Sequence, residues 1–460
     1  MTLKNHKKFL EDSKSVAFDL NHRSTLKFNI SKYNVAVKKG ESRYINLELA
    51  KERASKVKRD VVANLSHYLQ QYETSATKNG VEVLWAVDSN EAIDHIKKII
   101  KSTGAKKIVK SKSMTSEEIN FNEVFEKLNV ICQETDLGEF IVQKLGEKPY
   151  HILTPAMHKS RADVAKLFNS LYDTSLEATA SEMTSYVKNI LRNDFETADI
   201  GFTGANFLMA KEGAVALTEN EGNGLFTISY PKVHIVLAGI EKLLPSLDYL
   251  DLFWPLLAHH GTGQQVTVYN SLIFGPKKMG EHDGPDRMIV ILIDNGRTKL
   301  YSKPAQSEAL SCIRCGACLN ACPIYKNIGG HAYNSVYSGP IGAVIAPHLN
   351  DFEEFKHLSF ASSLCGKCYE VCPVKIDLPQ LLLLNRQEAV ESGNQPISEK
   401  FLMISAYKVL NSPFLMDFPH YRIKNRFMKY MGKSYFGSLR MAPTIAHNSF
   451  RKQWKSRSKN

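Results

Sequence analysis

Seven of the eight cysteines lie between Cys312 and Cys372, and their spacing says what they can do. Cys312, Cys315, Cys318 and Cys322, followed by Pro323, form a C-x2-C-x2-C-x3-C-P run. Three thiolates two residues apart wrap a loop around one corner of an iron–sulfur cubane, while the fourth points away towards a different cluster. A structural zinc site uses two separated Cys or His pairs, and three ligands packed this tightly fit one tetrahedral ion poorly. Cys365, Cys368 and Cys372, followed by Pro373, repeat the second half of the run. The duplication predicts crossed ligation. Cys312, Cys315 and Cys318 join Cys372 around one [4Fe-4S] cluster, and Cys322 joins Cys365 and Cys368 around a second.

The second set is one thiolate short, and in register with the first motif the missing ligand falls on Ser362. Three arrangements stay open: a serine-ligated [4Fe-4S], a [4Fe-4S] with water or substrate on its open iron, or a three-iron cluster. Two linked clusters point to electron transfer, since a purely structural staple needs only one. Cys132 stands alone in an apolar run and reads as a buried, inert thiol.

Other chemistry is sparse. There is no G-x-G-x-x-G after an early strand, no G-x-x-x-x-G-K-[ST] and no G-x-S-x-G, so a dinucleotide, P-loop or hydrolase site is not expected. Asp199 to Asn206, then Thr218 to Gly224, make the richest remaining segment. A strand ending at Gly201, Thr203 and Gly204 and opening into a helix frees backbone N–H groups for a carboxylate or phosphate. Thr203, Gly204, Asn206 and Asn223 are therefore the candidate substrate-binding residues, against the plain alternative of a glycine-rich turn with polar caps. Thr262, Gly263 and Gln264 form a weaker loop of the same kind. His158, His234 and His282 lack a partner three or four residues away and read as packed or surface histidines. Asp294 to Arg297 reads as a turn whose Arg297 could meet an anion or a neighbouring domain.

The elements that position these residues follow from periodicity. Residues 1–62 form a polar, helical lead-in. Val81 to Val87 reads as a strand, Asp88 and Glu91 as a capping box, and Ala92, Ile93, Ile96, Ile99 and Ile100 as one helical face stopped by Gly104. A strand resumes at Lys106, giving a β-α-β unit. Apolar runs at Val130 to Cys132, His151 to Leu153, Asp199 to Phe202, Ala214 to Leu217, Val233 to Ala238 and Met288 to Ile293 extend the theme. They predict an α/β fold with a largely parallel sheet over residues 63–300. A linker at Tyr301 to Ser307 leads to a small α-helical domain over 301–385, which carries the cysteines and a helix from Leu378. Residues 386–460 form a basic tail.

A 460-residue chain exceeds one compact core, and 43% hydrophobic with 23% charged residues excludes wholesale disorder. Leu243 to Leu257, the greasiest stretch, is broken by Asp248, Asp251 and two prolines, so no membrane span is expected. The first fourteen residues carry charges without an apolar run behind them, which argues against a secretory signal and for a cytoplasmic protein. The net charge of +12 is nearly all in one place, because Tyr421 to Asn460 hold eleven Lys or Arg and no acid. Arg422, Lys424, Arg426, Lys429, Lys433, Arg440, Arg451, Lys452, Lys455, Arg457 and Lys459 suit an acidic partner surface or an anionic membrane surface. Interleaved Phe427, Tyr430, Tyr435, Phe436, Phe450 and Trp454 favour docking over a merely solvated tail. Without a helix-turn-helix pattern or a concentrated basic helix, nucleic acid is not the expected partner.

Thr135 to Val142, Ala198 to Phe207, Thr218 to Gly224, Gly239 to Leu243, Asp283 to Pro285 and Leu292 to Arg297, followed by the double cysteine motif, resemble the lactate utilization protein B family over residues 60 to 385. The resemblance implies an α/β lactate-utilization domain, similar to the ribose-phosphate isomerase and CoA-transferase class, fused to an α-helical ferredoxin domain. It further implies two [4Fe-4S] clusters and a role in oxidising L-lactate to pyruvate alongside two other lactate-utilization proteins. An electron-transfer subunit is the expected role. The rivals are a chain that itself oxidises lactate, held by Thr203, Asn206 and Asn223 or at an open iron, and a redox-sensing binding module.

Overall fold

An apolar run becomes a doubly buried strand when both of its alternating sets of side chains find a covering layer. Residues 288–293 do so: Ile289, Ile291 and Ile293 enter one core, while Met288, Val290 and Leu292 enter the core on the opposite face. Ile235 and Leu237 alternate with Val236 and Ala238 in the same way.

The computed structural model describes residues 4–393, 397–436, 441 and 443–457. Arg440 and Lys459 of the basic tail lie outside the described residues, as do the side chains of Lys433, Tyr435 and Phe436. The chain divides into two compact units, Thr2–Ala389 and Val390–Asn460.

In the first unit, four helices lead in: α1 (Lys4–Phe18), α2 (Leu20–Gly40), α3 (Leu47–Ala63) and α4 (Leu65–Lys78). The strands are β1 (Glu82–Ala86), β2 (Lys107–Lys110), β3 (Ile131–Glu134), β4 (Ile200–Thr203), β5 (Phe207–Met209), β6 (Ala214–Glu219), β7 (Val233–Gly239), β8 (Leu243–Leu244), β9 (Tyr269–Ile273) and β10 (Arg287–Ile293). Six of them make a sheet ordered β1-β10-β7-β4-β2-β3, parallel throughout. Val61, Leu65, Leu69 and Tyr72 of α3 and α4 cover one face, and α5 (Ser89–Thr103) with Phe121 and Phe125 covers the other. Asp88 caps α5 and Gly104, at φ 67°, ends it as the sequence predicts.

Three expectations need correction. β1 and β2 flank α5 but are not neighbours, because β10, β7 and β4 lie between them. β1 is mostly half-exposed and suits an edge, whereas β4 and β7 are buried throughout and β10 nearly so, and these three take the centre. His151 to Leu153 is not a strand. The His151 ring nitrogen Nδ1 accepts the Leu153 N–H at 3.1 Å, which satisfies the backbone locally, and Pro155 follows. β6 is a strand, but it pairs antiparallel with β5 and β9 in a second sheet, ordered β8-β5-β6-β9.

The cysteine segment does not pack separately from the sheet domain. One core joins Leu26 and Ile30 of α2, Phe207 and Met209 of β5, Phe253 and Leu256 of the helix Leu250–Thr262, and Leu319, Tyr325, Val344 and Leu381. The helix Leu378–Glu391 closes it.

In the second unit, helices run over Ile397–Leu410, Pro413–Asp417, Tyr421–Phe436 and Phe450–Arg457. The Tyr421–Phe436 helix gathers Arg422, Lys424, Arg426, Lys429 and Lys433, so a concentrated basic helix is present after all. Ile423, Phe427 and Tyr430 are exposed along it at helical spacing. Among the described residues no helix is long and apolar enough to cross a membrane.

The helix Asn223–Ser229 packs so closely on β4 that a Cβ on Gly201 would sit 1.8 Å from the Thr227 carbonyl oxygen. Gly201→Ala should cost about 3 kcal/mol through overpacking. Gly104→Ala, where nothing lies within 4 Å, should cost only about 1 kcal/mol of left-handed strain. Urea unfolding of the two variants distinguishes them, and equal losses would contradict this packing.

Candidate metal centres and the adjoining cavity

The two cysteine loops fold alike. Arg314 before Cys315 and Leu364 before Cys365 are both left-handed, at φ 59° and 53°, and so are Gly316 and Gly366 after them, at 74° and 82°. Short helices, Ala317–Ala321 and Lys367–Glu370, begin directly afterwards. In the first loop the Arg314 N–H donates to Cys312 Sγ at 3.4 Å; in the second the Leu364 N–H donates to Ser362 Oγ at 3.1 Å. The Ser362 hydroxyl thus stands where the Cys312 thiol stands in the first loop. Arg386 holds this segment, its Nε and Nη2 donating to the carbonyls of Ser359 and Ser362 at 2.9 and 3.0 Å.

The seven thiols interact in two separate groups. Cys315 and Cys318 feel Cys312 and Cys372, and Cys372 feels Cys312. Cys368 feels Cys322 and Cys365, and Cys322 feels Cys365. Between the groups lies Tyr333, buried and facing both Cys318 and Cys322. Burial pushes the Cys372 thiol up to about 11 and the Cys368 thiol up to about 12, so a bound metal must drive their deprotonation.

Both groups fit iron–sulfur clusters better than single ions. Sulfurs around one zinc at about 2.3 Å lie within about 4 Å of each other. Among the described residues, the ligand sets whose atoms all fall within 4.8 Å of one another contain no cysteine. The surrounding charge also fits an anionic cluster at the first group. Lys58 is buried with its ammonium on the Glu241 and Leu243 carbonyls at 2.8 and 3.1 Å. Burial pushes Lys58 and Lys242 down to about 8, and Cys312 is among the groups that pull them back up. The backbone N–H groups of Arg314 and Ile376 donate to Cys312 and Cys372 sulfurs at 3.4 and 3.3 Å.

Beside the first group lies a cavity of about 810 Å³ at the carboxyl ends of β2 and β3. Carboxyl ends of parallel strands are the usual place for a ligand in an open α/β sheet. α2 and the helix Leu250–Thr262 form its far wall. Of the candidate substrate residues, Asn206 and Asn223 line it and Thr203 and Gly204 do not. Thr203 is fully buried, with its hydroxyl 2.9 Å from His234 Nε2, and Gly204 lies against Ser113. Asn206 Oδ1 accepts the Thr218 N–H at 2.9 Å, and Asn223 Nδ2 donates to Thr135 at 3.4 Å. Thr262 also reaches the wall.

Lys112, Asp136, Glu221 and Arg314 face the cavity too, and sequence spacing did not reveal them. Lys112 Nζ donates to the Leu153 carbonyl at 2.9 Å and lies 3.5 Å from Asp136. Burial, helped by Asp136, pushes the Glu221 carboxyl up to about 7.

His158 is not scattered from other ligands in space. Its ring stacks on Tyr150, Nε2 lies 2.6 Å from Glu147, and His331 joins them. The Lys159 ammonium already sits 2.5 Å from Glu147 and supplies its positive charge. His234 is buried in β7 and His282 is exposed. Cys132 is buried and its thiol pushed up to about 12, the inert state expected.

Known proteins resemble the chain over the same segments. The LUD domain family matches residues 69–293 and the 4Fe-4S dicluster domain family matches residues 308–376. "Lactate utilization protein B" from Bacillus velezensis is 42% identical over 360 residues, 78% of this chain and 75% of the relative. The protein of that name from Bacillus subtilis is 43% identical over the same shares. The one from Geobacillus thermodenitrificans is 41% identical over 79% of this chain and 77% of its own length. The crystal structure of a DUF162 family protein from Deinococcus radiodurans aligns with half of this chain and 98% of its own, at 13% identity and a TM-score of 0.26.

Because its carboxyl is raised from 4.5 to about 7, Glu221 keeps a proton in the folded chain that the unfolded chain has released. Its contribution to stability is therefore full at acid pH and is lost as pH rises through that window. Glu221→Gln should flatten this loss. Urea midpoints at pH 5 and pH 8 measure it, with a wild-type decline steeper than the variant's.

Proposed function

The chain belongs to the lactate utilization protein B family, and we propose on that premise that it is the iron–sulfur electron-transfer subunit of a system oxidising L-lactate to pyruvate. Oxidation of the alcohol carbon releases two electrons and two protons. A single cluster carries one electron at a time, so two neighbouring clusters accept the pair in sequence. The single observation carrying this reading is that Cys312, Cys315, Cys318 and Cys372 converge on one pocket that Cys322, Cys365 and Cys368 do not line. Cys312, Cys315, Cys318 and Cys372 would hold one [4Fe-4S] cluster, and Cys322, Cys365 and Cys368 the other.

We assign the fourth position of the second cluster to Ser362, because the Leu364 N–H meets its hydroxyl as the Arg314 N–H meets Cys312. The clusters supply reversible one-electron chemistry when bound. The protein's own residues supply the rest: thiolates anchor, Lys58 and Arg314 offset negative charge, and the shared core excludes water from the first site.

Two other lactate-utilization proteins are the proposed partners, donating or receiving the electrons. The basic helix Tyr421–Phe436 is proposed to dock on an acidic partner or an anionic membrane surface, with Ile423, Phe427 and Tyr430 as its apolar stripe. A cytoplasmic location fits that reading.

Anaerobic iron and sulfide analysis with EPR should find about eight irons per chain. Ser362→Ala should convert one signal to that of a three-iron cluster while Ser362→Cys keeps four irons there; identical spectra for all three chains would remove Ser362 from the ligand set. Lactate alone should not reduce the purified chain, and reduction without partners would make the chain itself the catalyst. Deleting residues 421–460 should abolish partner co-purification or vesicle binding; if both survive, the docking role is wrong.

A further inference from the structure

Among the described residues, one residue belongs to the walls of both the large cavity and the pocket lined by Cys312, Cys315, Cys318 and Cys372, and it is Arg314. It is 8% exposed, yet its Nε and Nη1 have no hydrogen-bond partner. Nη2 reaches Glu241 Oε1 at a long 3.3 Å, and Arg297 already holds that carboxylate at 2.5 Å. The guanidinium is fixed 4.4 Å from the centre of the Tyr337 ring, on a residue whose backbone is left-handed. Unpaired N–H groups on a buried cation carry a desolvation penalty, and a non-glycine left-handed residue adds strain. The strain belongs to the turn, since Leu364 shares it, but the unpaired buried cation persists only where the surroundings hold the side chain for something else.

The cavity's own carboxylates do not meet that need. Glu219 accepts the Gly224 and Leu225 N–H groups at 2.7 and 2.8 Å, Asp136 accepts the Glu139 N–H at 3.1 Å, and Glu221 accepts the Leu137 N–H at 3.2 Å. Lys112 and Lys32 add two further cations to the wall, and Leu153, Met157 and Leu257 add an apolar side.

We propose that the Arg314 end of this cavity binds the carboxylate of a small 2-hydroxy or 2-oxo acid, and that Arg314 couples its occupancy to the cluster held at Cys312. The acid class rests on the proposed role in lactate oxidation; the anion site rests on the unpaired guanidinium. The same residue donates its backbone N–H to Cys312 Sγ, so the ligand and the cluster share one cation. An anion on Arg314 weakens the cation's stabilisation of the reduced, more negative cluster and lowers its midpoint potential. By linkage, reduction of the cluster weakens acid binding by the same factor.

The test uses the full chain, prepared anaerobically with its clusters and titrated calorimetrically with L-lactate and with pyruvate. EPR-monitored redox titration follows, with and without saturating acid. At least one acid should bind saturably and lower the midpoint of one cluster signal but not the other. Each tenfold preference for the oxidised state reads as about 59 mV. Arg314→Met, at wild-type iron content, should lose affinity by about tenfold or more and lose the shift, with Arg314→Lys in between.

Should Arg314→Met not assemble its clusters, the wild-type shift and Lys112→Met, which touches no cysteine loop, decide: the latter should weaken binding severalfold. No binding of either acid, binding without a shift, or unaltered binding in these variants overturns the proposal. Acid binding by a chain that relays no electrons would sink the relay reading alone. A working relay that binds neither acid would sink this one alone.

Discussion

A buried network of two guanidiniums and two carboxylates ties the cysteine segment to the sheet. Arg297 lies between Glu118 and Glu241, at 2.7 and 2.5 Å, and Arg314 reaches the same Glu241 from the cysteine loop. The Tyr337 hydroxyl donates to Glu118 at 2.5 Å, closing the circuit from the cysteine segment's side. Removing one partner of a buried pair strands a charge and costs about 3–5 kcal/mol. The loop carrying Cys312 and Cys315 is therefore held in place by residues just beyond β7, just beyond β10 and at the end of the helix Met114–Glu118. This is why the two sequence segments share one core and why the cavity, which belongs to the sheet, opens against a cluster loop, which does not.

The two thiol groups sit in unlike surroundings. Cys315 and Cys372 are buried, and Lys58, Lys242 and Arg314 lie close to their group. In the other group Cys322 and Cys368 are buried as well, and Cys365 is exposed. Burial in a low dielectric disfavours the added negative charge of a reduced cluster, while cations and N–H···S bonds favour it, so the first site balances opposing effects, and at the second solvent reaches the Cys365 edge. On the proposed relay, the exposed side is where a partner protein can approach, and the buried side is the one next to the cavity.

Much of this was legible in the sequence because it depends on local spacing. The cysteine run, the Asp88 and Gly104 caps of α5 and the doubly buried strands each follow from neighbours within a few residues. What was not legible depends on where distant strands land. Nothing in Glu82 to Ala86 says that β10, some two hundred residues later, will pair with it, although the modest apolarity of β1 is compatible with an edge. Thr203 looked like the end of a binding loop because glycine and hydroxyl residues cluster there, but its strand runs deep into the sheet, and a hydroxyl buried there pairs with His234. Lys112 and Arg314 are about two hundred residues apart in the chain and line one cavity only through the fold.

The two cysteine loops share a backbone, so their differences are informative. At the left-handed position the second loop carries Leu364, which shows that the turn itself makes no demand for a cation. The first loop carries Arg314 there, buries it and leaves two of its nitrogens unpaired. An apolar residue would fill the same turn without the desolvation cost. The arginine is therefore accounted for by what adjoins the first loop and not the second: the Glu241 carboxylate on one side and the cavity on the other.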